Sequence, residues 1–527
     1  MMKGLFICAW LGCILTAAAQ SNTWYVWQNS PTNGPGTNWA TAFQDIQSAI
    51  HAATAGDTVL VTDGVYSTGS SVDVTGVLSN RVVVDKAVTV ESVNGASTTE
   101  IEGGTGIRCV YMTNGVTLDG FTLTGAEYPT NVPGPVFLGG GAFGGILLNC
   151  TLEGNNASWG GGAYGSYLSN CIICSNAAYP PQFGNGAAGG GVFSCTLNDC
   201  TLCGNTVLGD GDGGGAFDSV LTRCLVSGNF LDYDLGGGTW ESTLYDCVVV
   251  NNIGCGVAEG SAYNCVIASN SAFIGGGASD ARLFNCVVIG NSATGACGLA
   301  GGSAANCIIY DNIGTSDPSS NYLVVAMDYC CTAPLPTNGV GNILGPPGFV
   351  DETNGNFMLQ SNSPCINAGD NAYVTSSTDL AGYPRIVGGT VDIGAYEYQN
   401  PTSIISYAWL QQFGFPTDGS ADFLDPDGDG MNNYQEWIAG TNPTNAASVL
   451  EMYSVTPTNN PAGLWVTWQS VNTRTYYLQS STNLGAAPLF NTIQTNISGQ
   501  SNATSFLDTN ATGPGPYFYR VGVSGFP

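Results

Sequence analysis

The sequence predicts an all-β protein whose main part is a parallel β-helix solenoid. An Asn-Cys step, or a close variant of it, recurs with a hydrophobic pair and a second Asn, and successive copies lie 18 to 29 residues apart. A repeat of this length indicates stacked units. Each unit has only short apolar stretches between Gly and Asn, which favours short strands over helices. The cysteines of the eight copies are Cys150, Cys171, Cys200, Cys224, Cys247, Cys265, Cys286 and Cys307.

Alternation along each strand predicts which side chains fill the interior. In the second copy Cys171 and Ile173 should face inward, while Ile172 should face outward. Stacking of the coils then predicts a column of thiols beside an aliphatic column that runs from Leu152 to Ile309. Buried thiols more often act as small apolar groups than as bridges or nucleophiles, so we interpret this column as packing.

The second Asn of each copy predicts a ladder at a coil corner. Asparagine tolerates left-handed backbone and can donate its side-chain amide to the neighbouring coil. Glycine runs such as Gly139 to Gly141 lie where the chain must turn without a side chain. The asparagines of the ladder are Asn155, Asn176, Asn205, Asn229, Asn252, Asn270, Asn291 and Asn312.

Two further features of the repeat concern its outer face. Cys174 and Cys203 both lie three positions after a column cysteine in adjacent coils, which predicts a disulfide; a metal or catalytic role is the alternative. The outward residue after each column cysteine becomes more apolar toward the C-terminal copies, from Thr151 to Ile308. An apolar stripe should not face water, so we expect the chain after residue 312 to cover it.

The N-terminus and the charge indicate where the protein works. Residues 1–19 combine Lys3, an apolar run and three alanines, which is typical of a secretory signal peptide and predicts a secreted or cell-surface protein. No other stretch is long and apolar enough to span a membrane. With 38 acidic and 9 basic residues the net charge is −29, so nucleic acid and anionic membrane surfaces are poor partners.

Residues 20–400 form the predicted β-helix. Phe43, Ile46, Ile50 and Ala53 share one face of a short helix that can cap the first coil. This opening resembles bacterial right-handed parallel β-helix proteins of the pectin-lyase-like fold. The Gly-Gly-Gly and Asn-Cys repeats resemble those of chlamydial polymorphic outer-membrane proteins. The segment from Ser363 to Glu397 resembles the closing module of large secreted β-helix proteins. The resemblance implies the right-handed fold.

Residues 401–447 contain a predicted calcium loop. Asp425, Asp427 and Asp429 occupy positions 1, 3 and 5 of the EF-hand pattern, with the carbonyl of Met431 at position 7. Position 9 is Asn433 and position 12 is Glu436, at the start of an exiting helix. A solvated acidic loop without a metal is the alternative. The segment resembles dockerin-like and thrombospondin type 3 calcium modules.

Residues 448–527 show alternating apolar and polar positions, as in Leu464 to Trp468 and Tyr476 to Ser480. This pattern predicts a small antiparallel β-sandwich, similar to fibronectin type III modules. Nothing in it is typical of a catalytic centre, so we expect an accessory or attachment domain.

The corner insertions and one aromatic column are candidate ligand sites. The insertions can hold a second calcium or stack on sugar rings, and a plain acidic rim is the alternative. Their candidate residues are Asp210, Asp212, Asp232, Asp234, Tyr179, Phe183, Phe230 and Tyr233. Two residues after the glycine runs a column reads Phe143, Tyr164, Phe193, Phe217 and Trp240, then Ser279 and Ala304. If outward-facing, this column suits a glycan groove; stacking within the wall is the alternative.

These features predict a secreted calcium-binding β-helix protein that binds a polysaccharide or cell-surface glycan, as adhesins do. Asp199, Arg223 and Asp246 share one repeat position, which favours a salt bridge between coils over a catalytic trio. The sole histidine, His51, should lie on the exposed side of the capping helix. Between residues 139 and 312 the bases are Arg223 and Arg282 alone. A polysaccharide lyase or glycoside hydrolase, and a structural surface or fibre protein, are the alternatives.

Overall fold

The computed structural model describes residues 21–74, 78–128, 137–180, 186–209, 211–231, 236–314, 321–459, 462–485 and 487–524. The predicted signal peptide, residues 1–19, lies outside them. Within these ranges no helix is long and apolar enough to cross a membrane.

Three long sheets, here numbered 1 to 3, run the length of the first 330 residues. Sheet 1 has 13 strands, and sheets 2 and 3 have 12 each. All neighbouring strands are parallel except the first pair of sheet 3. Each coil contributes in turn to sheets 3, 1 and 2, so the chain forms the predicted parallel β-helix.

The strand bounds follow the repeat. Sheet 1 consists of Thr23–Val26, Thr58–Val61, Thr89–Ser92, Thr117–Asp119, Ile146–Leu148, Tyr167–Ser169, Thr196–Asn198, Val220–Thr222, Thr243–Tyr245, Ser261–Tyr263, Arg282–Phe284, Ser303–Ala305 and Ala326–Asp328. Sheet 2 consists of Gly64–Tyr66, Thr99–Glu102, Thr122–Thr124, Thr151–Glu153, Ile172–Cys174, Thr201–Cys203, Leu225–Ser227, Val248–Val250, Val266–Ala268, Val287–Ile289, Ile308–Tyr310 and Cys331–Thr332. Sheet 3 consists of Ser71–Val72, Ser79–Val84, Ile107–Met112, Ala142–Phe143, Ala163–Tyr164, Val192–Phe193, Ala216–Phe217, Thr239–Trp240, Val257–Ala258, Ala278–Ser279, Leu299–Ala300 and Tyr322–Leu323.

Short strands also pair at the coil corners. They are Asn156–Ala157, Ala177–Ala178, Thr206–Val207 and Phe230–Leu231; Ala187–Ala188 and Gly211–Asp212; and Ser271–Ala272, Ser292–Ala293 and Ile313–Gly314.

The interior columns are those predicted from the alternation. Leu152 pairs with Ile173, which pairs with Leu202, and all three side chains are fully buried. Beside them the column cysteines are buried as free thiols. The backbone N–H of Cys150 lies 3.4 Å from the Sγ of Cys171, and the same contact recurs farther along the column. The repeat cysteines therefore pack the core.

The asparagine ladder predicted at the coil corner is present. Each side-chain amide donates to the Oδ1 of the next asparagine at 2.8–3.1 Å, and the ladder continues from Asn312 to Asn321. Left-handed backbone lies instead at the residue before each column cysteine, as at Asn149, where φ is 51°, and Asn285, where φ is 52°. The second Asn tolerates such a backbone but does not adopt it, because the chain turns between sheets 1 and 2 one residue before the cysteine.

A second hydrogen-bonded column escaped the sequence analysis. The N–H of Cys195 donates to Ser219 Oγ at 3.0 Å, and the N–H of Ser219 donates to Ser242 Oγ at 3.1 Å. These residues lie at the corner between sheets 3 and 1. There a small side chain can accept a hydrogen bond from a backbone N–H of the preceding coil.

The N-terminal end is covered as expected. A 3₁₀ turn at Trp39–Thr41 precedes helix α1, Ile46–Ala52, whose N-cap Asp45 accepts from the Ser48 N–H. Ile46 and Ile50 are buried against the first coils, while His51 is exposed. The helix therefore shields apolar side chains at the open end of the solenoid.

The chain after residue 312 covers the apolar stripe, as predicted. Strands Phe349–Asp351 and Asn356–Leu359 and 3₁₀ turns Glu352–Asn354 and Asn371–Tyr373 belong to this closing segment. Val266, Val287 and Ile308 are at most 3% exposed beneath it and pack with Cys365, Ile366 and Ile393. Ile172, which the segment does not reach, is 49% exposed.

Two smaller parts complete the chain. Helices α2, Tyr407–Gln412, and α3, Asn433–Ala439, pack around Leu410 and Trp437. Two three-stranded antiparallel sheets then enclose Trp468 and Leu478, as the predicted sandwich requires. Their strands are Met452–Asn459, Ala462–Ser470 and Asn502–Asp508 in one sheet, and Asn491–Ser498, Thr475–Ser481 and Phe518–Val523 in the other.

Candidate functional site

The acidic loop before α3 gathers the oxygens that the sequence analysis assigned to calcium. The carboxylates of Asp425, Asp427 and Asp429 offer ligand atoms within 4.8 Å of one another. The loop is held by its own backbone: the N–H groups of Gly428 and Gly430 donate to Asp425 at 2.8 and 3.0 Å. Both glycines have positive φ, 76° and 95°, which lets the chain curl around the carboxylates.

Helix α3 places the last two candidate ligands. Its N-cap Asn432 accepts from the N–H of Gln435, and the Gln435 side chain accepts from the N–H of Asn432 in a capping box. This cap fixes the helix start directly after the loop. Asn433 and Glu436, one helical turn apart, are both fully buried.

Four side-chain oxygens of this loop are buried and accept no hydrogen bond. They are Asp427 Oδ2, Asp429 Oδ2, Asn433 Oδ1 and Glu436 Oε2. A buried acceptor without a donor costs about 1–3 kcal/mol. Oxygens from Asp, Asn and Glu are the ligands that Ca²⁺ takes in groups of six to eight, so the residues fit a calcium ion.

The electrostatics of Glu436 point the same way. Burial, together with the neighbouring carboxylates of Asp427 and Asp429, raises the pKa of its carboxyl to about 7. A cation among the three carboxylates relieves this repulsion.

The predicted pair of cysteines lies in register on sheet 2. Cys174 pairs directly with Cys203, and the two are joined by a disulfide with Cα atoms 4.5 Å apart. The bond staples two adjacent coils on their outer face.

The aromatic column of sheet 3 faces outward. Its rings stack from Tyr111 through Phe143, Tyr164 and Phe193 to Phe217, with centroids 4.9–5.4 Å apart and planes within 10° of parallel. Each inner ring thus has both faces covered by its neighbours and turns an edge outward. Since sugars stack on ring faces, this geometry favours the alternative, stacking within the wall.

The end of this column differs from the sequence-based alignment. Trp240 pairs with Ala258, and Ser279 pairs with Ala300. Ala304 was wrongly placed in the column, because it lies in sheet 1 opposite Leu283 and is buried.

The corner insertions are described in part. Asp210, Asp232, Asp234, Phe183 and Tyr233 lie outside the described residues. Of the others, Tyr179 and Phe230 are half-buried. Asp212 is half-buried opposite Ala188, and burial raises the pKa of its carboxyl, with a further rise from Glu259 and Glu241. A second calcium or sugar site here stays a prediction.

The charged trio forms one ion pair. Arg223 Nε and Nη2 donate to Asp199 Oδ1 and Oδ2 at 2.7 and 2.8 Å, so the predicted salt bridge between coils is confirmed for this pair. Asp246 accepts from Asn264 Nδ2 at 3.2 Å instead. Both members of the ion pair are about half-exposed, so it stabilises the fold only slightly.

An acidic column was missed by the sequence analysis. Asp218, Glu241, Glu259 and Asp280 each follow the sheet 3 strand of successive coils, with φ of 46–49°, and are exposed. The signal was present in the residue after each column position, since stacking aligns these carboxylates too. Like charges in register attract cations and repel anionic ligands.

A cleft lies where the β-helix, the segment 401–447 and the sandwich meet. It has a volume of about 640 Å³ and is walled by Tyr329, Trp409 and Trp437 among others. A second cavity of about 560 Å³ shares Tyr329, Gly369, Thr473 and Arg474 with it. No sequence pattern marks this cleft, because its walls come from segments that are far apart in the chain.

Solved structures with some similarity to this chain share little of its sequence. No protein-family model and no curated protein matches the sequence. The solved pectate lyase Pel9A is 12% identical, with a TM-score of 0.39 over 72% of this chain and 97% of its own. A complex of XylC with xylose is 10% identical, with a TM-score of 0.39 over 71% and 99%. A rhamnogalacturonan lyase is 12% identical, with a TM-score of 0.30 over 59% and 87%. We infer neither activity nor substrate from similarities of this size.

Proposed function

We propose that this protein is an exported, calcium-binding β-helix protein that binds carbohydrate without cleaving it. The observation that carries the proposal is the set of four buried oxygens without donors in the loop from Asp425 to Glu436. One cation satisfies several clustered acceptors at once, and the ligand set suits calcium better than magnesium because few positions are left for water.

Carbohydrate is the ligand class that fits the surface. The net charge of −29 and the acidic column repel polyanions. Half-buried aromatic rings beside amide side chains, as in the cleft at Tyr329 and Trp409, match the apolar faces and hydroxyl groups of sugars. Binding without cleavage is favoured because two candidate catalytic bases are poorly placed. Arg223 forms an ion pair with Asp199, and His51 lies on the outside of the capping helix at the N-terminal end of the solenoid.

Calcium titration of the full chain tests the first half of the proposal. We expect wild-type protein to bind one Ca²⁺ at this loop with a Kd of roughly 10⁻⁷ to 10⁻³ M. Asp425→Ala and Asp427→Asn should each weaken binding at least tenfold. Asp418→Asn is the matched control, because Asp418 is an exposed carboxylate of the same segment that accepts only from Ser420. Equal affinity in wild type and Asp427→Asn rejects the loop assignment.

A glycan array in the presence of Ca²⁺ tests the second half. Wild-type protein should retain at least one class of glycan, with no change in the reducing ends of soluble oligosaccharides. An array without any bound glycan contradicts carbohydrate binding and leaves the calcium assignment intact.

A glycoside hydrolase or polysaccharide lyase is the second candidate. The raised pKa of Asp212 near Glu241 and Glu259 is the observation that favours it, since hydrolases need carboxyl groups of unequal pKa. Reducing-end and unsaturated-uronate assays decide: product formation that Asp212→Asn and Glu241→Gln both abolish establishes an enzyme and ends the binding-only proposal.

A further inference from the structure

The cleft at the junction of the three parts has the chemistry of a ligand site. Its two cavities adjoin each other, because both are lined by Tyr329, Gly369, Thr473 and Arg474. Their volumes of about 640 and 560 Å³ are within the range of binding sites for small ligands. An elongated ligand of several sugar rings therefore fits the combined cleft.

The aromatic residues of the cleft are placed differently from those of sheet 3. Trp409 is half-buried on α2, with Phe413 at 4.9 Å in an edge arrangement, so its indole is not part of a continuous stack. Tyr329, on the last coil, rests against Gly341, where a Cβ would collide with the ring. Both rings line the same cavity. They can pack against the apolar face of a pyranose.

The polar groups of the cleft are mostly uncharged. The uncharged ones include Asn342, Asn371, Thr390, Gln411, Gln412, Thr473, Thr475, Asn496 and Ser524. One of the wall residues, Asn367, is fully buried, and its Oδ1 accepts no hydrogen bond in the structure. Because this oxygen is itself shielded from solvent, contacts to a ligand fall to exposed polar side chains of the cleft such as Gln411, Gln412 and Thr473.

Charge selects among carbohydrates. Arg474, the basic residue of the cleft, donates Nε to Ile438 O and Nη2 to Trp437 O at 2.9 Å each, which caps the C-terminus of α3. Asp370 is the acidic residue at the rim. With the guanidinium bound to the helix end, the cleft lacks the paired bases that would hold a polyuronate.

Helix α3 joins this cleft to the calcium loop. Glu436 of the helix belongs to the calcium ligand set, and the next residue, Trp437, lines the cleft. The carbonyls of Trp437 and Ile438 hold Arg474 of the sandwich. Any shift of α3 therefore moves one wall of the cleft and, at the same time, the contact between α3 and the sandwich.

We propose that this cleft binds a neutral oligosaccharide and that calcium in the adjacent loop sets its shape through α3. The proposal rests on the proposed function and goes further, because it names the binding site, the class of glycan and the regulation by calcium.

Isothermal titration of the full chain tests the site, with cellohexaose, xylohexaose and mannohexaose as neutral probes and hexagalacturonate as the anionic one. We expect one neutral probe to bind in 1 mM Ca²⁺. Trp409→Ala should weaken it at least tenfold. Thr473→Trp, which fills the cleft from an exposed position, should do the same, and it keeps the test decisive if Trp409→Ala does not fold. Trp465→Ala, an exposed tryptophan of the sandwich, is the control and should change affinity less than twofold.

The outcomes separate the proposals. Wild-type affinity in a folded Thr473→Trp variant overturns the cleft, while carbohydrate binding elsewhere stands. Binding of hexagalacturonate alone overturns the neutral class. We expect EGTA to weaken neutral-probe binding at least fivefold in wild type and not in Asp427→Asn. If the affinity of wild type is unchanged in EGTA, calcium does not regulate the cleft. If no saccharide binds in either the array or the titration, carbohydrate binding itself fails.

Discussion

Asn306 and the backbone of Asp370 exchange two hydrogen bonds of 2.9 Å, one in each direction. Asn306 belongs to the last complete repeat, and Asp370 belongs to the closing segment 64 residues later. The pair therefore fastens the segment that covers Val287 and Ile308 to the body of the β-helix.

Asn306→Asp should loosen this clasp. The carboxylate cannot donate to Asp370 O and repels it, while Asp still tolerates the left-handed backbone at this position, where φ is 52°. We expect the free energy of unfolding to fall by about 2 kcal/mol, measured in urea by tryptophan fluorescence. Asn170→Asp is the control, because Asn170 has the same repeat position, a φ of 53° and an exposed side chain. Equal losses in the two variants contradict a specific role of the clasp.

Removal of one rung should weaken the asparagine ladder at the middle of the solenoid. Asn229 accepts from the N–H and the side-chain amide of Asn205, and it donates to Leu202 O and Asn252 Oδ1. Asn229→Ala leaves these buried groups unpaired, and we expect a loss of about 3 kcal/mol in the free energy of unfolding. Asn198→Ala, on the outer face, should cost less than about 0.5 kcal/mol. A loss at Asn229 no larger than at Asn198 indicates that water replaces the rung.

The cysteines should divide into two chemical classes. The thiols of the interior column are buried, so iodoacetamide should not label them in the folded protein and should label them after denaturation. Peptide mapping without reduction should recover Cys174 linked to Cys203.

Replacing both linked cysteines by alanine tests what the bond contributes. Since it closes a loop of 29 residues, we expect a loss of about 2–4 kcal/mol in the free energy of unfolding. In the labelling experiment, reaction of a column cysteine with iodoacetamide in the folded protein would contradict the interpretation that the column packs the core.

The buried charges of the closing segment predict a pH dependence. Arg385 Nη1 lies 3.5 Å from Glu397 Oε2, and both side chains are almost fully buried. Burial, with Asp392 as the second cause, raises the pKa of Glu397 to about 9. Asp379 and Asp392 are further buried carboxyl groups near the same guanidinium, and this excess of buried acids favours the protonated form of Glu397.

The sign follows from the raised pKa. The folded state binds more protons than the unfolded state between about pH 4.5 and 9, so the contribution of Glu397 to stability falls as the pH rises through this window. Urea unfolding at pH 5, 7 and 9 measures the slope. Glu397→Gln should cost about 1 kcal/mol at pH 5, because its amide nitrogen cannot accept a backbone N–H, and should flatten the slope. Glu153→Gln, an exposed carboxyl, should leave it unchanged. Equal slopes in wild type and Glu397→Gln indicate an ionised Glu397.

Stacking explains which features were accessible from the sequence. Equivalent residues of successive coils lie above one another, so a column seen at Cys171 or Ile173 holds along the whole β-helix. The same rule placed Cys174 against Cys203 and Arg223 against Asp199. It failed at Ala304, because Gly301 and Gly302 follow the strand of sheet 3 in that coil, whereas the glycine runs of earlier coils precede it. The rule was not applied to the position of Glu241, where the acidic column was overlooked.

The sequence by itself determined the parallel β-helix, its buried thiol and asparagine columns, and the place of the acidic loop from Asp425 to Glu436. These features depend on residues a few positions or one coil apart, so a period and a spacing describe them. Only the tertiary structure decided that the rings beside Tyr164 turn their edges outward, that Asn306 fastens the closing segment through Asp370, and that Trp409, Tyr329 and Trp437 share a cleft. Those relationships depend on packing between distant segments, and no local pattern records that packing.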